Sequence, residues 1–240
     1  MNSLRQLDLY YGPREIARQH RYDALGSYLP TYAAMQPLRC ITPRDNARQN
    51  HAVAVLEEFA RKPVGFVTLM GHPGRGKSHL AAAACLSARE EGYPFLWMNS
   101  TAIFNRIRDS YDSGERNGNT DESTFSLARL LVIDDYGTEK PTEWVAEKMN
   151  SLIASRYREN RPTILTTNLS PDAFPDRDFS RIADKNTGRL ILVCGDDARL
   201  GVDTVWADDN DFRFYHKREI LCSVCSCRPH SPVCSEGRLS

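Results

Sequence analysis

The sequence lacks any excess of charge. Its 240 residues carry 31 Lys and Arg against 31 Asp and Glu, so the formal net charge at pH 7 is zero. No global basic field therefore indicates nucleic acid, and any DNA contact has to be a local patch. No apolar run reaches the roughly 18 to 20 residues that cross a bilayer, and the segment 1–6 lacks the apolar stretch of a signal peptide. We expect a cytoplasmic protein that makes no contact with a membrane.

Disulfide bonds are not expected either. The seven cysteines of an intracellular chain act as thiols or metal ligands more often than as disulfides. At 240 residues the chain can bury one substantial core and carry a small appendage at either end. We therefore expect an N-terminal arm over 1–45, a main domain over 46–206 and a cysteine-rich C-terminal tail over 207–240. The tyrosine-rich arm fits either a segment packed on the core or a partner-binding segment.

What the sequence does contain is a glycine-rich loop between an apolar strand pattern and an alanine-rich helix pattern. The loop consists of Gly71, His72, Pro73, Gly74, Arg75, Gly76, Lys77 and Ser78. The spacing Gly-x4-Gly-Lys-Ser lets the backbone curl around a phosphate, so that amide groups and the start of the following helix point at the anion. The pattern predicts nucleotide binding, with Lys77 at the β- and γ-phosphates and Ser78 as a ligand of Mg²⁺. The alternative is a glycine-rich turn between two core elements.

A pair of acids forms the second landmark. The four apolar residues 130–133 precede Asp134 and Asp135, and a strand that is buried on both faces needs such a run. This is a Walker B pattern. We expect Asp134 to hold Mg²⁺ through water and Asp135 to orient or activate the attacking water. Two acids at the end of a strand could instead begin a turn.

Strand patterns alternate with helical patterns along the main domain. The predicted strands cover 64–70, 93–98, 130–135, 163–168 and 189–194, and the predicted helices cover 46–61, 80–88, 100–112 and 141–158. This alternation predicts an α/β fold with a doubly wound, parallel, five-stranded sheet flanked by helices, whose ligand lies at the carboxyl ends of the strands. The glycine-rich loop, Asp134, Asp135 and Asn168 all fall at such ends.

Over about residues 46–199 the chain resembles the AAA+ ATPases of the DnaC/IstB class, which comprise replicative helicase loaders and transposition helper ATPases. The resemblance rests on Gly71–Ser78 followed by His79, on 131–140, on Arg156 with Tyr157, and on 162–170. It implies a P-loop AAA+ (ASCE) fold without a full helical lid. It also implies ATP and Mg²⁺ as cofactors and self-association through the ATP site.

The resemblance assigns roles to three further residues. Asn168 matches sensor 1, which would respond to the γ-phosphate and position water. Arg177 and Arg181 match the box VII arginines of the class, with the spacing Arg-x3-Arg before the last strand. Of the two, Arg181 best matches the arginine finger that one subunit supplies to the ATP of its neighbour.

A DNA contact is a further implication of the resemblance. The helix 100–112 occupies the position of the insertion through which such loaders touch single-stranded DNA, so Arg106, Arg108 and Tyr111 are the candidate contacts. A solvated helix face is the alternative for the two arginines. The resemblance implies a loader with a replicative helicase as its partner. An IstB-type transposition helper and a nucleotide-gated adaptor with little turnover are the alternatives, and the sequence does not separate them.

The C-terminal tail contains a pattern of metal-ligand type. Its members are Cys222, Cys225, His230 and Cys234. Cys-x2-Cys followed by His and Cys resembles a zinc knuckle, one residue short in its last gap, and would give a tetrahedral Zn²⁺ site. A disordered cysteine-rich tail is the alternative.

Overall fold

The computed structural model of the chain describes residues 47–112, 121–138 and 142–193. The N-terminal arm and the four candidate zinc ligands Cys222, Cys225, His230 and Cys234 lie outside these residues, so their assignment stays a prediction. Of the described helices, none combines the length and the apolar character needed to span a bilayer.

Five parallel strands form one sheet, and the predicted α/β fold is confirmed. The strands are β1 (Phe66–Met70), β2 (Phe95–Asn99), β3 (Leu130–Tyr136), β4 (Thr163–Thr167) and β5 (Gly188–Leu192). Their order across the sheet is β2-β3-β4-β1-β5, and every neighbouring pair is parallel. Because β4 lies between β1 and β3, three segments that are distant in sequence end side by side at one edge of the sheet.

Helices flank this sheet. In the described residues they are α1 (Ala47–Arg61), α2 (Lys77–Glu90), α3 (Ser100–Asp112), α4 (Asp121–Leu127), α5 (Glu143–Arg158) and α6 (Asp176–Ile182), with a 3-10 turn at Pro171–Ala173. The sequence patterns do not predict α4 and α6, since helices of seven residues are too short to show a clear period. α5 begins two residues later than predicted because the hydroxyl of Thr142 caps it, accepting a hydrogen bond from the amide of Val145 at 3.3 Å.

Two strands also begin later than the apolar patterns predict. β1 begins at Phe66 because Gly65 has a φ of 68°, a left-handed conformation that turns the chain before the strand. β2 begins at Phe95, since Gly92 has a φ of 85° just after α2. Pro94 also has no amide hydrogen to donate to a neighbouring strand.

The sheet is buried on both faces. Along β3, Leu130 and Val132 belong to the apolar cluster formed with α1 and α2, whereas Leu131 and Ile133 belong to the cluster formed with α3, α4, α5 and α6. All four side chains are fully buried. This alternation is the period of two that a strand between two helical layers requires.

α2 is the most completely buried helix at the site. Its alanines at 81, 82, 83, 84 and 88 are at most 1% exposed, because the helix lies between the sheet and α1. Alanine side chains let a helix approach its neighbours closely. The glycine-rich loop that precedes α2 is therefore held close to the ends of β1 and β4.

Candidate nucleotide-binding site

The glycine-rich loop connects β1 to α2, as predicted. Gly71, Gly74 and Gly76 have φ angles of 146°, 79° and 85°, a region that glycine adopts more readily than other residues. At Gly71 a Cβ atom would lie 2.5 Å from the carbonyl oxygen of Val193, so no larger residue fits there. Gly76 is the N-cap residue of α2. Of the remaining loop residues, Pro73 is exposed and His72, Arg75, Ser78 and His79 are half-buried.

Lys77 lies at the centre of the loop and is only 6% exposed. Its Nζ donates hydrogen bonds to the carbonyl oxygens of Gly71 and His72, at 2.8 and 2.7 Å. It also donates to Oδ1 of Asn168 at 2.6 Å. Asn168 follows β4 directly, and β4 pairs with β1 in register from Phe66 to Met70. The order of the strands therefore brings together two predicted site residues that are 91 positions apart.

Asp134 meets Ser78 on the other side of the loop. Ser78 Oγ donates to Oδ1 of Asp134 at 2.8 Å, and the hydroxyl of Thr166 donates to the same oxygen. Asp134 is 7% exposed, and this burial raises the pKa of its carboxyl group above the usual range. The hydrogen bonds from Thr166 and Ser78 act in the opposite direction because they favour the ionised form.

The two acids lie in a β-bulge. Ile133 pairs with Leu165 and Tyr136 pairs with Thr167, so two residues of β3 lie opposite one residue of β4. Asp135 has a φ of 54°, in the left-handed region that aspartate tolerates better than most residues. The bulge leaves Asp135 half-buried whereas Asp134 is buried.

Neighbouring hydroxyl groups hold the backbone of Asp135 in this bulge. Its amide donates to Thr166 Oγ1 at 3.0 Å, and its carbonyl accepts from Ser100 Oγ and from Thr138 Oγ1, each at 2.9 Å. Thr166 thus contacts both acids, and it is a site residue that the sequence patterns do not predict. The signal was present: a threonine in a strand that is buried on both faces needs a hydrogen-bond partner.

The donor set fits a magnesium nucleotide. A serine hydroxyl beside carboxylate oxygens offers the hard oxygen ligands that Mg²⁺ takes, so Ser78 and Asp134 are the residues that would hold the ion. Lys77 and the glycine backbone would supply the positive charge and the close approach that phosphate oxygens need. Mg²⁺ bound there would neutralise negative charge on the phosphates.

The two arginines of the predicted finger segment lie apart from this cluster, on α6. Arg177 is exposed. Arg181 donates to the carbonyl oxygen of Arg177 at 3.3 Å, and its Nη1 lies 3.8 Å from Oδ1 of Asp178. Among the described residues, neither arginine is hydrogen-bonded or ion-paired to the glycine-rich loop of its own chain. Both arginines lie on α6, which contacts α5, β1 and β5.

The candidate DNA contacts lie on α3. Arg106 is half-buried, whereas Arg108 and Tyr111 are exposed. The guanidinium carbon of Arg108 lies 5.3 Å from the ring centroid of Trp144 on α5, a cation–π contact. Arg108 therefore has a partner within the chain. Tyr111 also has partners, because its hydroxyl is hydrogen-bonded to Glu122 and Lys148.

Tyr111, Glu122 and Lys148 link α3, α4 and α5. The hydroxyl of Tyr111 donates to Oε2 of Glu122 at 3.0 Å and accepts from Nζ of Lys148 at 2.8 Å. Lys148 and Glu122 also form an ion pair at 3.0 Å. The hydrogen bond with Tyr111 is the largest cause that raises the pKa of Lys148.

Fold and site together define a P-loop protein of the AAA+ class that binds ATP. The sequence model of the family described as "IstB-like ATP binding protein" matches residues 32–178, more than half of the chain. The chain belongs to this family, and the predicted DnaC/IstB resemblance is confirmed.

Two of the relatives are a helicase loader and a protein of an insertion sequence. The replicative helicase loader DnaC of Escherichia coli K12 is 29% identical over 134 residues, which cover 54% of this chain and 53% of DnaC. An ATP-binding protein of insertion sequence IS5376 from Geobacillus stearothermophilus is 31% identical over 104 residues, or 43% of this chain and 40% of that protein. The chain thus spans about half the length of the DnaC relative that it matches.

Solved structures agree on the fold. The crystal structure of the DnaC helicase loader superposes with a TM-score of 0.57 at 23% identity, covering 66% of this chain and 96% of that one. Similarity at this level of identity shows a common fold and does not show an activity.

Proposed function

We propose that the protein is an ATPase that couples ATP binding and hydrolysis to the loading of a replicative helicase onto single-stranded DNA. The observation that carries the ATPase part is the placement of β4 between β1 and β3, which sets Asn168 against Lys77 and Asp134 against Ser78. The loader part is supported by the similarity to DnaC, which extends over more residues than the similarity to the insertion-sequence protein.

Each side chain has one task in this reaction. Lys77 balances the charge of the β- and γ-phosphates, and Asn168 positions the γ-phosphate and the attacking water. The carboxylate of Asp135 accepts a proton from that water. At the same time the water oxygen bonds to the γ-phosphorus, and the bond between this phosphorus and the leaving ADP oxygen breaks. Arg181 of a neighbouring subunit stabilises the charge on the transferred group. The half-buried side chain of Asp135 suits a base that has to reach water.

Replacing the base tests hydrolysis apart from binding. Asp135→Asn should keep ATP affinity within a few fold and reduce turnover roughly 10²- to 10⁴-fold, because water activation is lost while Ser78 and Asp134 remain. Phosphate release and binding of a fluorescent ATP analogue measure the two quantities. Lys77→Ala should abolish binding, whereas Lys62→Ala, which changes an exposed lysine before β1, should not. Unchanged turnover of Asp135→Asn would assign water activation to another residue.

The DNA contact needs its own experiment. Replacing Arg106 and Arg108 by alanine should weaken single-stranded DNA binding and flatten its dependence on salt, since each lost phosphate contact releases about one counterion fewer. Fluorescence anisotropy with an oligonucleotide at several salt concentrations measures both. Arg61→Ala with Arg158→Ala removes two exposed arginines elsewhere and serves as the charge-matched control. Equal affinity and equal salt slope in both double variants would make the α3 arginines part of a solvated face.

A transposition helper is the second candidate, favoured by the relative from insertion sequence IS5376. The two functions differ in the protein that is delivered to DNA. The loader predicts that ATP and this protein increase the amount of replicative helicase recovered on circular single-stranded DNA. If a transposase on duplex target DNA responds instead, the helper function is correct.

A further inference from the structure

A buried carboxylate outside the nucleotide site joins the end of β3 to α6. Asp178 is 2% exposed. Its Oδ2 accepts a hydrogen bond from the hydroxyl of Tyr136 at 3.0 Å, and its Oδ1 accepts from Nδ2 of Asn150 on α5 at 2.8 Å. The surrounding cluster is apolar, with Phe174 and Ile182 buried beside it. Burying an acid there costs free energy that an apolar residue would not cost.

Tyr136 connects this carboxylate to the nucleotide site. It follows Asp134 and Asp135 in β3 and is only 4% exposed. Its carbonyl oxygen accepts from Thr167 Oγ1 at 2.8 Å, and Thr167 immediately precedes Asn168. Its ring stacks on Phe174, with the centroids 5.0 Å apart and the planes at 10°. Tyr136 thus contacts Phe174, just before α6, through its ring, and it contacts Asp178, on α6, through its hydroxyl.

α6 depends on such contacts for its position. A helix of seven residues is not stable by itself in water, so its orientation follows from what holds it. Arg177 and Arg181 flank Asp178 on this helix, and Nη1 of Arg181 lies 3.8 Å from Oδ1 of Asp178. The carboxylate therefore contacts β3, α5 and the candidate finger arginine at once.

We propose that Asp178 and Tyr136 are positioning residues that orient α6, and with it Arg181, toward the ATP site of a neighbouring subunit. This inference rests on the proposed shared-site hydrolysis. It has an asymmetric consequence: Asp178 matters in the subunit that donates the arginine and not in the subunit whose site hydrolyses ATP.

Mixing full-length variants tests this asymmetry. Arg181→Ala chains supply an intact site without a finger, and Lys77→Ala chains supply a finger without a site. Their mixture should recover ATPase activity that neither has alone. Adding Asp178→Asn to the Lys77→Ala chain should reduce the recovered activity roughly 100-fold, the scale of a misplaced catalytic group. Adding Asp178→Asn to the Arg181→Ala chain should leave the recovered activity unchanged.

The controls separate positioning from general damage. Asp184→Asn, added to the Lys77→Ala chain, removes the neighbouring carboxylate that accepts a hydrogen bond from Tyr157 at 2.8 Å, and it should not reduce recovery. Tyr136→Phe keeps the stacked ring and removes the hydroxyl, so in the donor chain it should reproduce part of the loss even if Asp178→Asn folds poorly. Sizing and thermal unfolding of each variant verify assembly and folding.

Each outcome decides between the claims. Equal losses with Asp178→Asn in either chain, or no loss in the donor chain, would overturn the positioning role alone. If Arg181→Ala and Lys77→Ala do not complement while oligomers form, the shared-site mechanism fails, and the positioning role fails with it.

Discussion

Two buried threonines in adjacent strands differ in the hydrogen bonds of their hydroxyl groups. Thr166 in β4 donates to Asp134 and accepts from the amide of Asp135. Thr68 in β1 is equally buried, yet among the described residues its Oγ1 has no hydrogen-bond partner. The first hydroxyl orients Asp134, the proposed magnesium ligand. The second has lost contact with water without replacing it, which costs free energy.

Replacing Thr166 by valine should weaken the binding of magnesium ATP. The isosteric change removes one of the two hydrogen bonds to Asp134 Oδ1 and leaves the Asp135 amide without its partner. Affinity for ATP in the presence of Mg²⁺ should fall roughly 10-fold, the lower end for loss of a group that orients a metal ligand. Affinity without Mg²⁺ should change less. Titration of a fluorescent ATP analogue with and without Mg²⁺ measures this difference.

Thr68→Val makes the same chemical change on the neighbouring strand and is the matched control. It should leave both affinities unchanged and raise the free energy of unfolding by about 1 kcal/mol, because it removes a buried polar atom that has no partner in the described part of the chain. If Thr68→Val weakens magnesium ATP binding as much as Thr166→Val does, the effect belongs to strand packing and not to Asp134.

At the scale of elements, Arg156 joins three segments. It is fully buried on α5, and its guanidinium donates to the carbonyl oxygens of Phe125, Ala128 and Pro162 at 2.8, 3.1 and 2.5 Å. Its Nε donates to Thr163 Oγ1 at 2.8 Å. The planar fork of arginine reaches acceptors on both sides of the side chain. This one residue therefore fixes α5 against the end of α4 and the start of β4.

Arg156→Lys should lower the free energy of unfolding by about 3 kcal/mol. An ammonium group has three donors at one point, so buried carbonyl groups lose their partners while the charge stays buried. Arg158→Lys, an exposed position two residues further on, should change stability by no more than about 0.5 kcal/mol. Urea unfolding of both variants provides the comparison. Equal midpoints would mean that lysine satisfies the same carbonyl groups.

The contacts of α6 predict a specific dependence of stability on pH. Burial raises the pKa of Asp178 above the ordinary value of 3.8 and outweighs the hydrogen bonds from Tyr136 and Asn150. The folded state therefore binds this proton more tightly than the unfolded state. The resulting stabilisation is complete below the unfolded pKa and is lost as the pH rises through the folded pKa. Relative to Asp178→Asn, the wild-type protein should gain stability as the pH falls from about 7 to about 4.

Asp184 provides a control of opposite sign. Hydrogen bonds from the backbone of Asn186 and from Tyr157 lower its pKa, so its stabilisation is present at neutral pH and lost as the pH falls. Relative to Asp184→Asn, the wild-type protein should change little in stability between about pH 7 and about pH 5, and it should lose stability as the pH falls below about 4 through the lowered pKa. Urea unfolding of the three proteins at several pH values measures both differences. Parallel curves for the wild type and Asp178→Asn would contradict the raised pKa.

At the scale of the whole molecule, the sequence predicts what depends on local pattern. The glycine loop, the apolar run before Asp134 and the five strands are each visible within a window of about ten residues, because burial on two faces leaves a continuous apolar run. The resemblance to a known class supplies only a predicted role for Asn168. Local patterns are therefore enough to predict the fold and most residues of the glycine-rich loop.

The features that the sequence does not predict depend on which strands are neighbours. Thr166 acts on Asp134 only because β4 lies beside β3, and Tyr136 meets Asp178 across 42 positions. The bulge at Asp135 is a property of two paired strands and cannot be read from one of them. The helices α4 and α6 are too short to show a period. Non-local pairing therefore hides what such residues do, even where they lie inside recognised segments, as Tyr136 does in 131–140 and Thr166 does in 162–170.

The alanines of α2 have a consequence for how mutations can change the affinity for ATP. The helix is packed between the sheet and α1 with side chains of one methyl group, so a larger residue at Ala83 has to push it away from one of them. Lys77 is the first residue of this helix and moves with it. A library of variants selected for tighter or looser ATP binding should accordingly collect substitutions on the facing sides of α1 and α2, several turns from the loop, as often as within it.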